Sequence, residues 1–347
     1  MPGRHIAVDA MGGEFGVPVT VPATVRALKL HKDLHVSLIG DQAQIDRALA
    51  ECRIEKLRSR LDVVHTPHQV TDTDKPTAAI RARDRSSLFI AIQLVKTAKA
   101  DACVSSGNTG ALLLTGRHLL KTLPGIDRPA IVATIPGSSR GAYLLDVGAN
   151  VDCQAEQLFQ FAVMGSVLAE SLNGQPRARV GLLNIGVEDF KGNEQVRRAA
   201  TLLENCPAIN YVGYVEGNAL FDGAADVVVC DGFVGNVTIK SSAGVVNVIN
   251  SIMRQRMNSN LLNRMASLLT LPLLHQLQER IDPARYNGAS LLGLQGSIIK
   301  SHGNAREDGF LYAITRAVRE AELGVPALIA EKVAGIMTAS HLAARQS

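Results

Sequence analysis

Three short segments carry residue types suited to holding an anion: Ser105-Ser106-Gly107-Asn108-Thr109-Gly110, Asp231-Gly232-Phe233-Val234-Gly235-Asn236 and Ser301-His302-Gly303-Asn304. Each follows an apolar, strand-like run and precedes a helical pattern. A helix N-terminus offers unpaired N–H groups, and glycine lets the backbone come close to a ligand, so such elbows suit a phosphate or another anion. The layout predicts that they open on one edge of a sheet. Ser106, Asn108 and Thr109 of the first elbow, and Asp231, Gly232 and Gly235 of the second, are the candidate contacts. Asp9, Gly12 and Gly13, at the end of the first strand, join them.

Individual side chains carry more than one reading. In Phe190-Lys191-Gly192-Asn193-Glu194, Gly192 lets the backbone turn after a strand, Glu194 begins a helix, and Asn193 is a further candidate phosphate contact. The Lys191 ammonium can grip an anion or a developing oxyanion, or stand solvated in its loop. Asn236 can cap the helix expected over Val237–Val248 or donate its amide to a ligand. Asp231 can orient its loop or coordinate a cation. His302 reads equally as an acid, a phosphate ligand or a structural residue of its turn. Asp146 and Asn150, in Asp146-Val147-Gly148-Ala149-Asn150, read either as loop braces alone or as braces that also support the site from behind, and Asp9 has a similar double reading.

Several chemistries are excluded. The chain holds no G-x-G-x-x-G after a strand, no G-x-x-x-x-G-K-[ST] and no H-E-x-x-H, and its nine histidines show no metal spacing. Gly137-Ser138-Ser139-Arg140-Gly141 fits G-x-S-x-G, but a nucleophile elbow needs a strand before it and a helix after it. Here Pro136 precedes and an apolar run follows, which suits a polar turn between two strands. No metal and no organic cofactor are expected.

The elements that position these residues alternate between strand and helix. Strand-like runs at Ile6–Val8, Val36–Ile39, Leu61–Val64, Ala102–Val104, Ala130–Ile135, Tyr143–Val147, Arg179–Ile185, Tyr211–Val215 and Asp226–Cys230 are interleaved with helical patterns, the longest over about Ala155–Leu172. Repeated βα units with apolar strands predict an α/β fold with a largely parallel sheet covered by helices on both faces. Over residues 245–285 the rhythm breaks. Arg254, Arg256 and Arg264 are followed by leucines near helical spacing, with Pro272 as a kink. This stretch reads as projecting helices that pair with a second copy, or that also touch a membrane surface or an acidic protein.

Composition narrows the class further. The 347 residues are ample for a sizeable core; 46% are hydrophobic, 4% aromatic and none is Trp, against recognition of stacked bases and so against a nucleic-acid partner. The net charge of +4 is mild and forms no basic tract. Five scattered cysteines without C-x-x-C suggest reduced, mostly buried thiols in a cytoplasmic protein. The first residues run straight into a strand without a signal-peptide pattern, and no apolar run is long enough to span a bilayer.

Taken together, Ala7–Gly13 (AVDAMGG), Ala102–Leu113 (ACVSSGNTGALL), Asp146–Cys153 (DVGANVDC), Lys191–Glu194 (KGNE), Asp226–Lys240 (DVVVCDGFVGNVTIK) and Tyr286–Gly303 (YNGASLLGLQGSIIKSHG) closely resemble the bacterial phosphate acyltransferase (PlsX) family, in the family's order along nearly the whole chain. Glu14 stands where that family commonly has Asp. The resemblance implies a single domain over residues 1–347, a three-layer Rossmann-like sandwich similar to the isopropylmalate dehydrogenase and phosphotransacetylase group. It implies acyl transfer from acyl-[acyl carrier protein] to inorganic phosphate for phospholipid synthesis, with Lys191, Asn236 and His302 as catalytic candidates. It also implies a homodimer associated peripherally with the inner face of the membrane, beside a membrane glycerol-phosphate acyltransferase. Three rivals share parts of the pattern. They are a phosphotransacylase using coenzyme A, a β-decarboxylating dehydrogenase, and a scaffold that binds acyl carrier protein without turnover.

Overall fold

The computed structural model describes residues 3–71, 74, 85–137, 141–257 and 283–346. Short apolar runs form eleven strands of one sheet: β1 (His5–Asp9), β2 (His35–Gly40), β3 (Leu61–His65), β4 (Ala102–Ser105), β5 (Ala130–Ile135), β6 (Ala142–Leu145), β7 (Arg179–Leu183), β8 (Asn210–Val215), β9 (Val227–Val229), β10 (Ala289–Leu292) and β11 (Ser297–Lys300). Their order is β3-β2-β1-β4-β11-β10-β5-β6-β9-β7-β8.

Helices cover both faces. On one lie α1 (Val17–Leu30), α2 (Gln42–Ala50), α5 (Ala155–Asn173), α6 (Glu194–Glu204), α8 (Glu307–Leu323) and α9 (Val325–Gln346). On the other lie α3 (Ser87–Lys96), α4 (Thr109–Leu120) and α7 (Gly232–Met257). Strand alternation divides the core accordingly. Ile6 and Val8 pack under α1 and α8, whereas Ala7 packs under α3 and α4. The result is a three-layer α/β sandwich. α1 buries Val17, Val21, Val25 and Leu28 at helical spacing and takes Pro18 in its first turn, where no N–H partner is lost. α5 opens with a reciprocal Gln154–Gln157 cap and closes at Gly174 in the left-handed region.

The predicted alternation holds, but the single sheet edge does not. Pairings β11–β10, β10–β5 and β5–β6 are antiparallel, and the others are parallel. Strands β1 to β4 and β11 therefore end on one edge, and β6 to β9 end on the opposite one. The first and third elbows share the first edge. The second elbow, Lys191 and the Asp146–Asn150 loop lie on the second. Further differences are local. The second-elbow helix starts at Gly232, five residues before the expected Val237. Residues 245–257 continue that helix, and most of the remaining expected projection, 258–282, lies outside the described residues. So do Ser138–Arg140 of the G-x-S-x-G match, whose flanks join two antiparallel strands as the turn reading expects.

The two halves are tied together by a buried polar set. Glu320 on α8, 2% exposed, accepts from Ser290 on β10 and from the Arg316 guanidinium. Arg316 in turn lies 5.4 Å from the ring centroid of Tyr143 on β6, whose hydroxyl donates to Asn173 at 3.3 Å. Arg319 donates to the Leu172 carbonyl on α5. Beneath this set, Phe161 of α5 is fully buried in the larger core cluster. Phe161→Ala is expected to cost about 3–5 kcal/mol through lost burial and a residual cavity. Urea unfolding read by circular dichroism checks it, and a loss below about 1 kcal/mol would show that the site collapses around the gap.

Candidate functional site

The first cluster interlocks three backbone segments. β1 ends at Asp9, β4 at Ser105 and β11 at Lys300, side by side in register. The Ser105 hydroxyl donates to Asp9 Oδ2 at 2.7 Å and accepts from the Gly107 N–H at 3.0 Å. The Ser106 hydroxyl donates to the Gly12 carbonyl at 2.7 Å, and the Glu14 N–H donates to the Gly303 carbonyl at 2.9 Å. Gly13 sits at φ +82°, and a Cβ there would lie 2.7 Å from Ser106 Oγ and 2.8 Å from the Gly303 carbonyl, so the loop closes this tightly only on glycine. Asn108 caps α4 through its side-chain oxygen on the Ala111 N–H at 2.9 Å, and Thr109 stands exposed beside it.

The third elbow is braced from below. Asn287 donates to the Ser301 hydroxyl at 2.8 Å and accepts from the His302 N–H at 2.9 Å. The His302 ring is exposed at its outer side, while the protein packed beneath it, and then the Lys300 charge, lower its pKa. It is therefore neutral at physiological pH.

Asp9 is 1% exposed, and burial raises its pKa; hydrogen bonds from Ser87 and Ser105 oppose that shift. Its Oδ1 has no hydrogen-bond partner among the described residues. The carboxyl lies behind the loops, against Gly12 and Gly107, rather than on their open side.

The second cluster is built on Asp146. Its carboxylate accepts from the N–H groups of Ile131 (2.9 Å), Gly148 (3.2 Å), Ala149 (3.0 Å) and Asn150 (2.7 Å), and from the Asn150 amide (3.0 Å). Burial nonetheless raises its pKa. Both residues are loop braces, one of the two readings their types permit. Asp231 caps α7 through the Val234 N–H at 2.8 Å, and Gly232 donates to the Asn150 carbonyl at 2.7 Å. A Cβ on Gly235 would lie 1.8 Å from the Asp146 carbonyl oxygen, which fixes glycine at that contact. Asn236 is inside the helix rather than at its cap, and lies against Gly148. Asn193 caps α6 through the Val196 N–H at 2.9 Å. Lys191 is half-buried with its ammonium 5.6 Å from the Phe190 ring centroid.

The clusters meet on one face of the sheet. Val147 and Ala149 pack into the hydrophobic cluster that also holds Ala111, Leu112 and Leu113 of α4. α7 covers β5 and β6 on that face. Between α4 and α7 the floor is a half-buried strip of Ala133, Ala289 and Lys300. Lys300 is the residue that the sequence reading misses. Ile298 and Ile299 face opposite clusters, so alternation puts Lys300 on the α4 face. Its ammonium donates to the carbonyl of Ser106 at 3.3 Å and to that of Ser301.

Among the described residues no group of three His, Cys, Asp or Glu could hold a metal ion, and no helix is long and apolar enough to cross a membrane. All five cysteines are free; Cys103, Cys153 and Cys230 are buried. Burial, then Asp146 and Asp231, pushes Cys153 up to about 12, so it is no nucleophile.

A family model described as "Fatty acid synthesis protein" matches residues 4–328. The chain is 50% identical over 336 residues to a protein of Halorhodospira halophila named phosphate acyltransferase, covering 97% of this chain and 98% of that one. A Legionella pneumophila protein of the same name is 48% identical, covering 94% of this chain and 96% of that one. Among solved structures, a phosphotransacetylase from Streptococcus pyogenes is similar at TM-score 0.60 and 17% identity, covering 92% of this chain and 94% of that one. EutD phosphotransacetylase from Staphylococcus aureus is similar at TM-score 0.57 and 14% identity, with the same coverages, which is a likeness of fold.

The Asp9 environment makes a signed expectation. Its native pKa lies above the ordinary 3.8, so between the two values the fold holds a proton that the unfolded chain has released. Stability from this group is complete below 3.8 and is lost as pH rises through the native value. Asp9→Asn lacks that limb. Urea unfolding from about pH 3 to pH 8 is expected to show the variant gaining on the wild type as pH rises, and a pH-independent difference rejects a raised Asp9 pKa.

Proposed function

The chain belongs to the fatty acid synthesis protein family, and from that premise we propose that it transfers a fatty acyl group to inorganic phosphate. The name phosphate acyltransferase, carried by relatives at about half identity over nearly full length, supports the reaction class. The donor is an acyl-[acyl carrier protein] thioester, and the product is acyl phosphate for phospholipid synthesis. The single observation that carries the site is the interlocked unit of Gly12–Gly13, Ser106–Thr109 and His302–Gly303, which supports a phosphate seat at the mouth of α4.

Phosphate is already anionic near neutral pH, so it needs positioning more than a strong base. One phosphate oxygen attacks the thioester carbonyl carbon, and the C–O bond forms as the carbonyl electrons move to oxygen. Collapse of that oxyanion breaks the C–S bond, and the thiolate leaves and takes its proton from water, because a neutral imidazole is too weak an acid to give one up. Neutral His302 donates its N–H to a phosphate oxygen. Asn236, carried against the Gly148 loop, presents an amide to the thioester oxygen. Lys191, on the same sheet edge as that loop, adds positive charge on the donor's side. Loss of one such donor slows the chemical step by roughly 10²–10³-fold. No step calls for a metal or an organic cofactor.

Assembly follows the same premise. We assign the chain to a cytoplasmic homodimer that touches the inner face of the membrane. Exposed Val237, Val245, Val248, Ile249 and Ile252 along α7 support an apolar contact surface leading into residues 258–282. Arg254, Arg256, Arg264, Arg280 and Arg285 supply charge for acyl carrier protein or anionic lipid, and a membrane glycerol-phosphate acyltransferase takes the product.

Incubation with long-chain acyl-[acyl carrier protein] and phosphate, with hydroxylamine as trap, is expected to give phosphate-dependent acyl hydroxamate. The coenzyme A thioester gives far less. Equal rates with both donors favour the coenzyme A rival, and no hydroxamate favours a binding scaffold. Asn236→Ala and Lys191→Ala are each expected to lower kcat while leaving the melting temperature near wild type; unchanged turnover rejects the assigned role. In liposome flotation with anionic vesicles, Leu268→Glu combined with Leu269→Glu is expected to lower recovery, and equal recovery discards the membrane contact.

A further inference from the structure

The strip between α4 and α7 holds one long side chain rising among alanines, and it joins the two elbows of the first edge. Lys300 lies in register with Ser105 on one side and Ala289 on the other. Its ammonium binds the carbonyl that enters the first elbow, at Ser106, and the carbonyl that enters the third, at Ser301. The same charge reaches the ring of His302. We propose that Lys300 is the cation that anchors the phosphate substrate, bridging the first and third elbows at the floor of the cleft. The inference rests on the reading of phosphate as acyl acceptor and deepens it by naming the residue that recognises the anion.

Three observations carry this assignment. First, backbone amides and helix ends carry partial charges, and a phosphate dianion is held more firmly where a full positive charge faces it at low solvent exposure. Lys300 is half-buried and tied to both elbows, whereas Lys191 belongs to the opposite edge, against Phe190. Second, the carboxyl behind the elbow is Asp9, fully buried, with an oxygen that lacks a partner among the described residues. An anion beside such a group is held more firmly by a fixed cation, and any charge on that carboxyl makes the need greater where water is excluded. Third, the strip around Lys300 is floored by Ala133 and Ala289, whose short side chains leave room above the sheet for a substrate. The neighbouring Arg306, 4.1 Å over the Phe15 ring, is the competing cation and is exposed.

Phosphate binding to the full chain is followed by isothermal titration calorimetry, and the His302 ring pKa by NMR. Lys300→Met is expected to weaken phosphate about 30-fold or more, and Lys300→Arg to remain within about tenfold of wild type. A greater loss in Arg306→Ala than in Lys300→Met overturns the proposal and gives the anchor to the guanidinium. In the wild type, phosphate placed against Lys300 offsets the charge that depresses His302, so saturation is expected to raise the ring pKa. That measurement decides the matter even if Lys300→Met does not fold, and phosphate that binds without moving His302 overturns the assignment. The two readings fail separately. Hydroxamate formation by a protein whose phosphate sits away from Lys300 removes the anchor and leaves acyl transfer. Phosphate held through Lys300 without hydroxamate sinks acyl transfer and leaves the anchor.

Discussion

Antiparallel hydrogen bonding across β11, β10, β5 and β6 decides where every loop of this molecule can go. A wholly parallel sheet would deliver all its strand ends to one rim. Here the direction reverses in the middle, so the loops after β4 and β11 face away from those after β6, β7 and β9. What reunites them is the sheet face. The Asp146–Asn150 loop folds over that face and packs beside α4, while α7 starts at the second rim and runs back across β5 and β6. The half-buried strip between the two helices is where groups from both rims converge.

Two buried aspartates show how the same side chain serves opposite ends. Asp146 is surrounded by N–H donors from four residues and the Asn150 amide, so the carboxylate organises a whole turn and has little capacity left for anything else. Asp9 is as deeply buried, yet it accepts from the Ser105 hydroxyl on Oδ2 while its Oδ1 has no hydrogen-bond partner among the described residues. Burial raises the pKa of both. The first is a finished structural knot. The second keeps that one oxygen without a partner among the described residues and is linked through the Ser105 hydroxyl to the Gly107 N–H.

Much of this was legible in the residues. The βα rhythm, the buried apolar strands, the elbows and the Gly137–Gly141 turn follow from periodicity and turn chemistry. The direction of the central strands did not. β10 is four residues, Ala289-Ser290-Leu291-Leu292, between Gly288 and Gly293, both at positive φ, and nothing in so short a run reports its orientation. Lys300 was hidden for the same reason. Its place at the end of Ser297–Ile299 is plain, but which face its side chain takes is settled by partners far away in sequence. Asn236 was misplaced because Gly232 and Gly235 read as loop residues, whereas close contact with Asn150 and Asp146 demands them inside a helix.

The buried set of Glu320, Ser290, Arg316 and Tyr143 rivets α8 to β10 and β6, the strands on either side of the reversal. Removing Arg316 alone would leave the Glu320 carboxyl buried without its guanidinium partner, at a cost of several kcal/mol. The set therefore resists separation of the two halves. Adjustment of the cleft between α4 and α7 is then left to the loops at the two rims.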